Sequence, residues 1–108
     1  MRIEDERVVL IRPVRLYREG MSHDQLYEIT RKQWRINPHL HNPDYAFTVI
    51  GGVVQAVFRI DGWKPASRPG RWMFDGAVDD EMERRYGGAD VKEYFPRGAA
   101  GPVRYVNC

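Results

Sequence analysis

Tyr45-Ala-Phe-Thr-Val-Ile-Gly-Gly-Val-Val-Gln-Ala-Val-Phe-Arg-Ile60 carries the clearest structural signal in the chain. Two runs rich in β-branched and aromatic residues flank Gly51-Gly52, and a glycine pair between such runs suits a tight primed hairpin. The pattern predicts strands over Tyr45–Ile50 and Val53–Ile60. Alternation gives each strand two apolar faces. Tyr45, Phe47 and Val49 oppose Ala46 and Ile50; Val54, Ala56, Phe58 and Ile60 oppose Val53 and Val57. Strands covered on both sides are central in a sheet or line a closed barrel. Asp61-Gly62 is expected to end the hairpin, followed by Trp63 and an exposed loop over Lys64–Gly70 that contains Pro65 and Pro69.

Towards the amino end, Val8–Val14 reads as a short strand that Pro13 limits to an edge or a strand end. A loop through Gly20 follows. Ser22 and Gln25 then form a Ser-x-x-Gln capping box, which predicts a helix from His23 to Arg35. Leu26, Tyr27, Ile29, Thr30, Gln33 and Trp34 fall on its packing face, and Glu28, Arg31, Lys32 and Arg35 on its solvent face. His39, Leu40 and His41, between Pro38 and Pro43, are expected in a loop. Towards the carboxyl end, Arg71–Phe74 predicts a strand. Asp79 or Asp80 caps a short helix through Arg85 that buries Met82 and Tyr86 and stops at Gly87. Val91–Phe95 fits helix or strand, Pro96–Gly101 is a glycine-rich loop, and Val103–Val106 is a final strand.

The elements add up to one α+β domain over residues 1–108. It is expected to be a small mixed, mostly antiparallel β-barrel or strongly curved sheet of about five strands, with two helices. A hydrophobic fraction of 43% and an aromatic fraction of 12% are those of a folded chain. No apolar run is long enough to span a membrane, and Arg2, Glu4, Asp5 and Glu6 open the chain without a signal-peptide pattern, so a cytoplasmic location is expected. The lone Cys108 precludes an internal disulfide. No phosphate-cradling glycine loop, serine elbow or metal-ligand spacing is present, so no cofactor and no metal are expected.

A net charge of +2 conceals an uneven distribution. Arg31, Lys32, Arg35, Arg59, Lys64, Arg68 and Arg71 face only Asp44 and Asp61 between Arg31 and Trp72, while acids dominate from Gly76 to Glu93. Trp34 stands between Lys32 and Arg35 and is followed by His39 and His41; Trp63 begins the basic loop. An aromatic ring beside guanidinium groups is what a nucleotide requires, stacking for the base and charge for the phosphate. The candidate ligand-binding residues are therefore Arg31, Lys32, Trp34, Arg35, His39, His41 and Trp63. The expected role is non-catalytic binding of nucleic acid or a nucleotide, including a modified or flipped base. Core packing of the aromatic residues is the plain competing account. A protein-binding or homodimeric module, with apolar strands and tryptophans at its interface, is the first alternative. A metal-independent ribonuclease or toxin, with His39 or His41 as general base, is the second.

Leu26-Tyr-Glu-Ile-Thr-Arg31, Trp34-Arg35, Asp61-Gly-Trp63 and Pro102-Val-Arg-Tyr-Val-Asn107 resemble a widespread bacterial protein family without a settled function. The order of strand, capped helix, tryptophan with arginines and long hairpin is also similar in layout to the PUA-like group, which includes the EVE, YTH and ASCH domains. That likeness implies a small barrel with helices at its mouth and a pocket that receives a nucleotide, often a modified base. Arg31, Trp34, Arg35 and Trp63 would form the matching wall. The turn here is Gly51-Gly52 rather than the Gly-Asp turn of that group.

Overall fold

In the computed structural model, which describes residues 1–98 and 101–108, five strands form one mixed sheet. They are β1 (Val8–Ile11), β2 (Tyr45–Ile50), β3 (Val53–Pro65), β4 (Trp72–Val78) and β5 (Val103–Val106), ordered β4-β3-β2-β1-β5 across the sheet. β1 runs parallel to β2, and every other pair is antiparallel. The helices are α1 (His23–Arg31), α2 (Pro38–His41) and α3 (Asp80–Tyr86), with a single 3-10 turn at Lys92–Tyr94.

The central hairpin forms where its residues predict it. Gly51 (φ 60°) and Gly52 (φ 80°) make the positive-φ turn between β2 and β3, a conformation that costs glycine nothing. Both faces of the central strands are covered. Val9, Ile11, Ala46, Ala56, Phe58 and Phe74 pack against Leu26 and Ile29 of α1. On the opposite face Val8, Leu10, Phe47, Val49, Val54 and Val57 pack against Met82 and Tyr86 of α3. Fully burying a side chain of this size contributes about 1.5–3 kcal/mol, so the two layers supply the main stabilisation.

Simple alternation misplaces Val54. Thr48 pairs with Ala56 but Val49 pairs with Val54, so Gln55 is an extra residue on β3. This bulge turns Val54 to the side of Val57, away from Ala56 and Phe58. A second shift at Asp61 lets the ladder continue to Pro65, so Asp61-Gly62 bends the hairpin and does not end it.

The capping box is present: Gln25 N–H donates to Ser22 Oγ at 3.2 Å, and Ser22 N–H to Gln25 Oε1 at 2.9 Å. The helix it opens stops at Arg31, not Arg35. Gln33 takes φ 60°, and Trp34 exchanges backbone hydrogen bonds of 3.0 and 3.1 Å with Trp72. The open edge of β4 offers these backbone groups partners, which another helical turn would forgo.

The chain then crosses from one sheet edge to the other. Asn37 N–H donates to the Tyr105 hydroxyl at 3.2 Å, and the His41 ring stacks on Tyr105 on β5 at 3.5 Å. The sheet is therefore open, not a closed barrel: β4 and β5 do not pair, and residues 34–41 contact both edge strands instead. His39 and His41 lie in α2, not in a loop: Pro38 begins the turn and the Asn37 side chain accepts from Leu40 N–H at 3.1 Å. This makes a third helix beyond the two expected. The loop expected over Pro96–Gly101 includes residues 99 and 100, which lie outside the described residues. No helix among the described residues is long and apolar enough to cross a membrane.

The contacts of α1 decide what meets at the far end of the sheet. Thr30 bonds Thr48 on β2, while the next residue, Arg31, donates to the Phe74 carbonyl of β4 at 3.0 Å. The outer part of the β3–β4 hairpin thus curls over α1 towards the end of the sheet where β1 leaves at Arg12.

Candidate functional site

A groove of about 1140 Å³ opens at that end of the sheet. Residues 12–16 after β1, residues 32–35 after α1, the β3–β4 connection and the entry to β5 all contribute to it. Its cations are Arg12, Arg15, Lys32, Arg35, Arg68, Arg71 and Arg104. These are seven of the chain's seventeen Lys and Arg residues, and none of its fifteen Asp and Glu residues lines the groove.

Of the ten Lys and Arg residues outside the groove, six are ion-paired. Arg7 pairs with Asp44 at 3.1 Å, Arg59 with Asp61 at 2.7 Å, Arg85 with Glu6 at 2.9 Å and Lys64 with Asp75 at 3.5 Å. Among the described residues, Arg12, Arg15, Lys32, Arg35, Arg68 and Arg71 make no ion pair. Like charges gathered in a concave surface reinforce one another's field and attract anions.

Several of these groups are held in place. The Arg12 guanidinium lies 4.2 Å from the Phe95 ring centroid and donates to the Gly101 carbonyl at 2.8 Å. Arg104 lies 5.4 Å from the same centroid. Arg71 donates to the Gln33 carbonyl at 2.9 Å, which ties the β3–β4 connection to the exit of α1. A guanidinium has five N–H donors, so one anchoring bond leaves Arg12 and Arg71 able to grip an anion, at reduced entropic cost.

Lys32, Trp34 and Arg35 line this groove together. The half-buried Trp34 ring donates its Nε1–H to the Thr30 carbonyl at 2.7 Å, which fixes it in the wall. The other four sequence candidates lie elsewhere. Arg31 turns inward, pairing with Asp75 and Glu28, and its side chain is only 13% exposed. His39 meets Trp72 edge-on, with centroids 5.4 Å apart. His41 stacks on Tyr105, and its Nδ1 bonds the Cys108 backbone oxygen at 3.2 Å. Trp63 packs against Phe74 on the α1 face of the sheet, its buried Nε1 without a partner among the described residues.

Arg12, Arg15 and Arg104 were missed because they lie far along the chain from the basic stretch. The only local signal is a pair of arginines straddling Pro13-Val14 just after a buried strand. The described lining of the groove includes no histidine, cysteine or carboxylate, hence no side chain that exchanges a proton near neutral pH. Burial pushes the Cys108 thiol above its ordinary value, which disfavours the nucleophilic thiolate. No cluster of three or more His, Cys, Asp or Glu residues among the described residues could hold a metal. No protein-family model matches the chain, and no curated protein or solved structure matches it either.

Proposed function

We propose that the chain is a non-catalytic binding domain for nucleic acid, which lies along the groove with its phosphates against the cations. One observation carries this reading: the groove gathers seven cations and no acid, whereas the cations of Arg7, Arg31, Arg59 and Arg85 are paired elsewhere. Trp34 supplies a ring on which a base can stack, an interaction worth about 1–3 kcal/mol per base. The absence of a general base in the described lining favours binding over ribonuclease chemistry. As a cytoplasmic module of this kind, the domain would receive a nucleotide at a helix-flanked end of its open sheet, where PUA-like domains use the mouth of a barrel.

Lys32 and Arg35 are exposed, so reversing their charge leaves the fold intact. Lys32→Glu combined with Arg35→Glu is expected to weaken binding of short labelled oligonucleotides at least about tenfold by fluorescence anisotropy. Affinity of the unaltered protein should fall steeply with salt, with a log–log slope of about −3 if roughly four phosphates of a single strand are neutralised. An unchanged affinity in the folded double variant would overturn the proposal. A concentration-dependent dimer in light scattering, with no affinity for any oligonucleotide, would favour a protein-interaction module instead.

A further inference from the structure

The groove is apolar as well as cationic, and its apolar residues are displayed. The large exposed hydrophobic side chains among the described residues are Met1, Val14, Leu16 and Leu40; Val14 is 62% exposed and Leu16 46% exposed. Val14 and Leu16 stand on either side of Arg15 at the lip of the groove, which Trp34 also lines. The turn that carries them is built, because Leu16 and Tyr17 N–H both donate to the Pro13 carbonyl, at 3.1 and 3.0 Å, and Pro13 is buried. Leaving two such side chains in water forgoes stabilisation of about 25 cal/mol per Å² of apolar surface, so a ligand that covers them gains it back.

The occupant must therefore show negative charge and flat apolar surface on the same side. Duplex nucleic acid turns its phosphates outward but hides its base faces in the stack. A single strand exposes both, and its bases can splay onto aromatic and apolar side chains. We infer that the groove takes single-stranded nucleic acid, its bases against Val14, Leu16 and Trp34 and its phosphates against Arg15, Lys32 and Arg35. This inference rests on the nucleic-acid reading above and narrows it to one strand.

The test compares a labelled single-stranded oligonucleotide, the same sequence as a duplex, and vesicles of anionic lipid, using the full chain and its Val14→Ser, Leu16→Ser double variant. Both positions are exposed, and circular dichroism is the check that the variant folds. The expected result is at least about tenfold preference for the single strand, and about tenfold weaker single-strand binding by the variant with an unchanged salt slope, since no cation is removed. Equal affinity for duplex and single strand, or a variant that binds the single strand unchanged, overturns this inference and leaves the cationic groove reading standing. No binding to either oligonucleotide overturns both. Preference for the vesicles that is lost with Val14 and Leu16 also overturns both, in favour of a lipid surface.

Discussion

The hydroxyls of Thr30 and Thr48 share a hydrogen bond of 2.6 Å between α1 and β2, and both residues are fully buried. A lone hydroxyl left at that depth loses this partner, so Thr30→Val and Thr48→Val should each cost about 1–3 kcal/mol in urea denaturation. Thr30→Val combined with Thr48→Val should cost clearly less than the sum, because no orphaned hydroxyl remains. Strictly additive losses would show that the pair contributes nothing as a pair. The helical pattern places Thr30 on the packing face, but nothing in it pairs Thr30 with a threonine eighteen residues away. The same blindness affects Arg31 and Lys32, neighbours that both read as solvent-facing. Arg31 points inward to Asp75 and the Phe74 carbonyl, and Lys32, just past the end of the helix, points into the groove.

Strand β3 is the element whose length and bends shape the site, and its pairing with β4 depends on Gly76. A Cβ at Gly76 would sit 1.8 Å from the Arg59 carbonyl oxygen, and backbone cannot yield as a flexible side chain can. Gly76→Ala is therefore expected to force the ladder apart and to destabilise the protein by about 1–3 kcal/mol, comparable with overpacking a core. Thermal unfolding should then begin several degrees lower, at about 4–8 °C per kcal/mol for a domain of this size. A melting curve that coincides with the unaltered protein's would show that the two strands can separate freely there. The hairpin itself was legible, since a glycine pair between β-branched runs is a local signal. The bulges at Gln55 and Asp61 were not, because a register shift is decided by which side chains fill the two core layers. The end of α1 was hidden for a related reason, as Trp34 leaves the helix to pair with β4.

Across the whole molecule, the amino-terminal segment is tied to α3 through Glu6, which accepts from the Tyr86 hydroxyl and pairs with Arg85. Burial first, and the bond to Glu6 second, push the Tyr86 hydroxyl from 10.0 up to about 12. The folded state thus holds this phenol protonated more strongly than the unfolded chain does. Its contribution is complete below about pH 10 and is lost as pH rises through about 12. Glu6 behaves oppositely: the Tyr86 hydroxyl holds its carboxyl below the ordinary value, so its contribution is present at neutral pH and fades as pH falls through the acid range. The urea midpoint should decline between about pH 10 and 12, and Tyr86→Phe should remove part of that decline while costing about 1.5–3 kcal/mol at neutral pH. Identical alkaline profiles in the two proteins would show that Tyr86 has no part in it. The groove is also a property of the whole molecule, since its cations come from widely separated positions between Arg12 and Arg104.

What the amino-acid sequence determined by itself is the set of features that depend on neighbours a few residues apart. These are the Gly51-Gly52 turn, the Ser22 cap, a second cap at Asp79 or Asp80, the doubly apolar central strands and the existence of a basic, tryptophan-containing stretch. Only the tertiary structure decided which basic residues share a surface, that the sheet stays open, and that Val14 and Leu16 line one groove with Trp34. Those outcomes follow from the curl of β3 and β4 over α1 and from the crossing of residues 34–41 between the sheet edges. Both result from filling two core layers at once, a constraint that acts between residues distant in the chain.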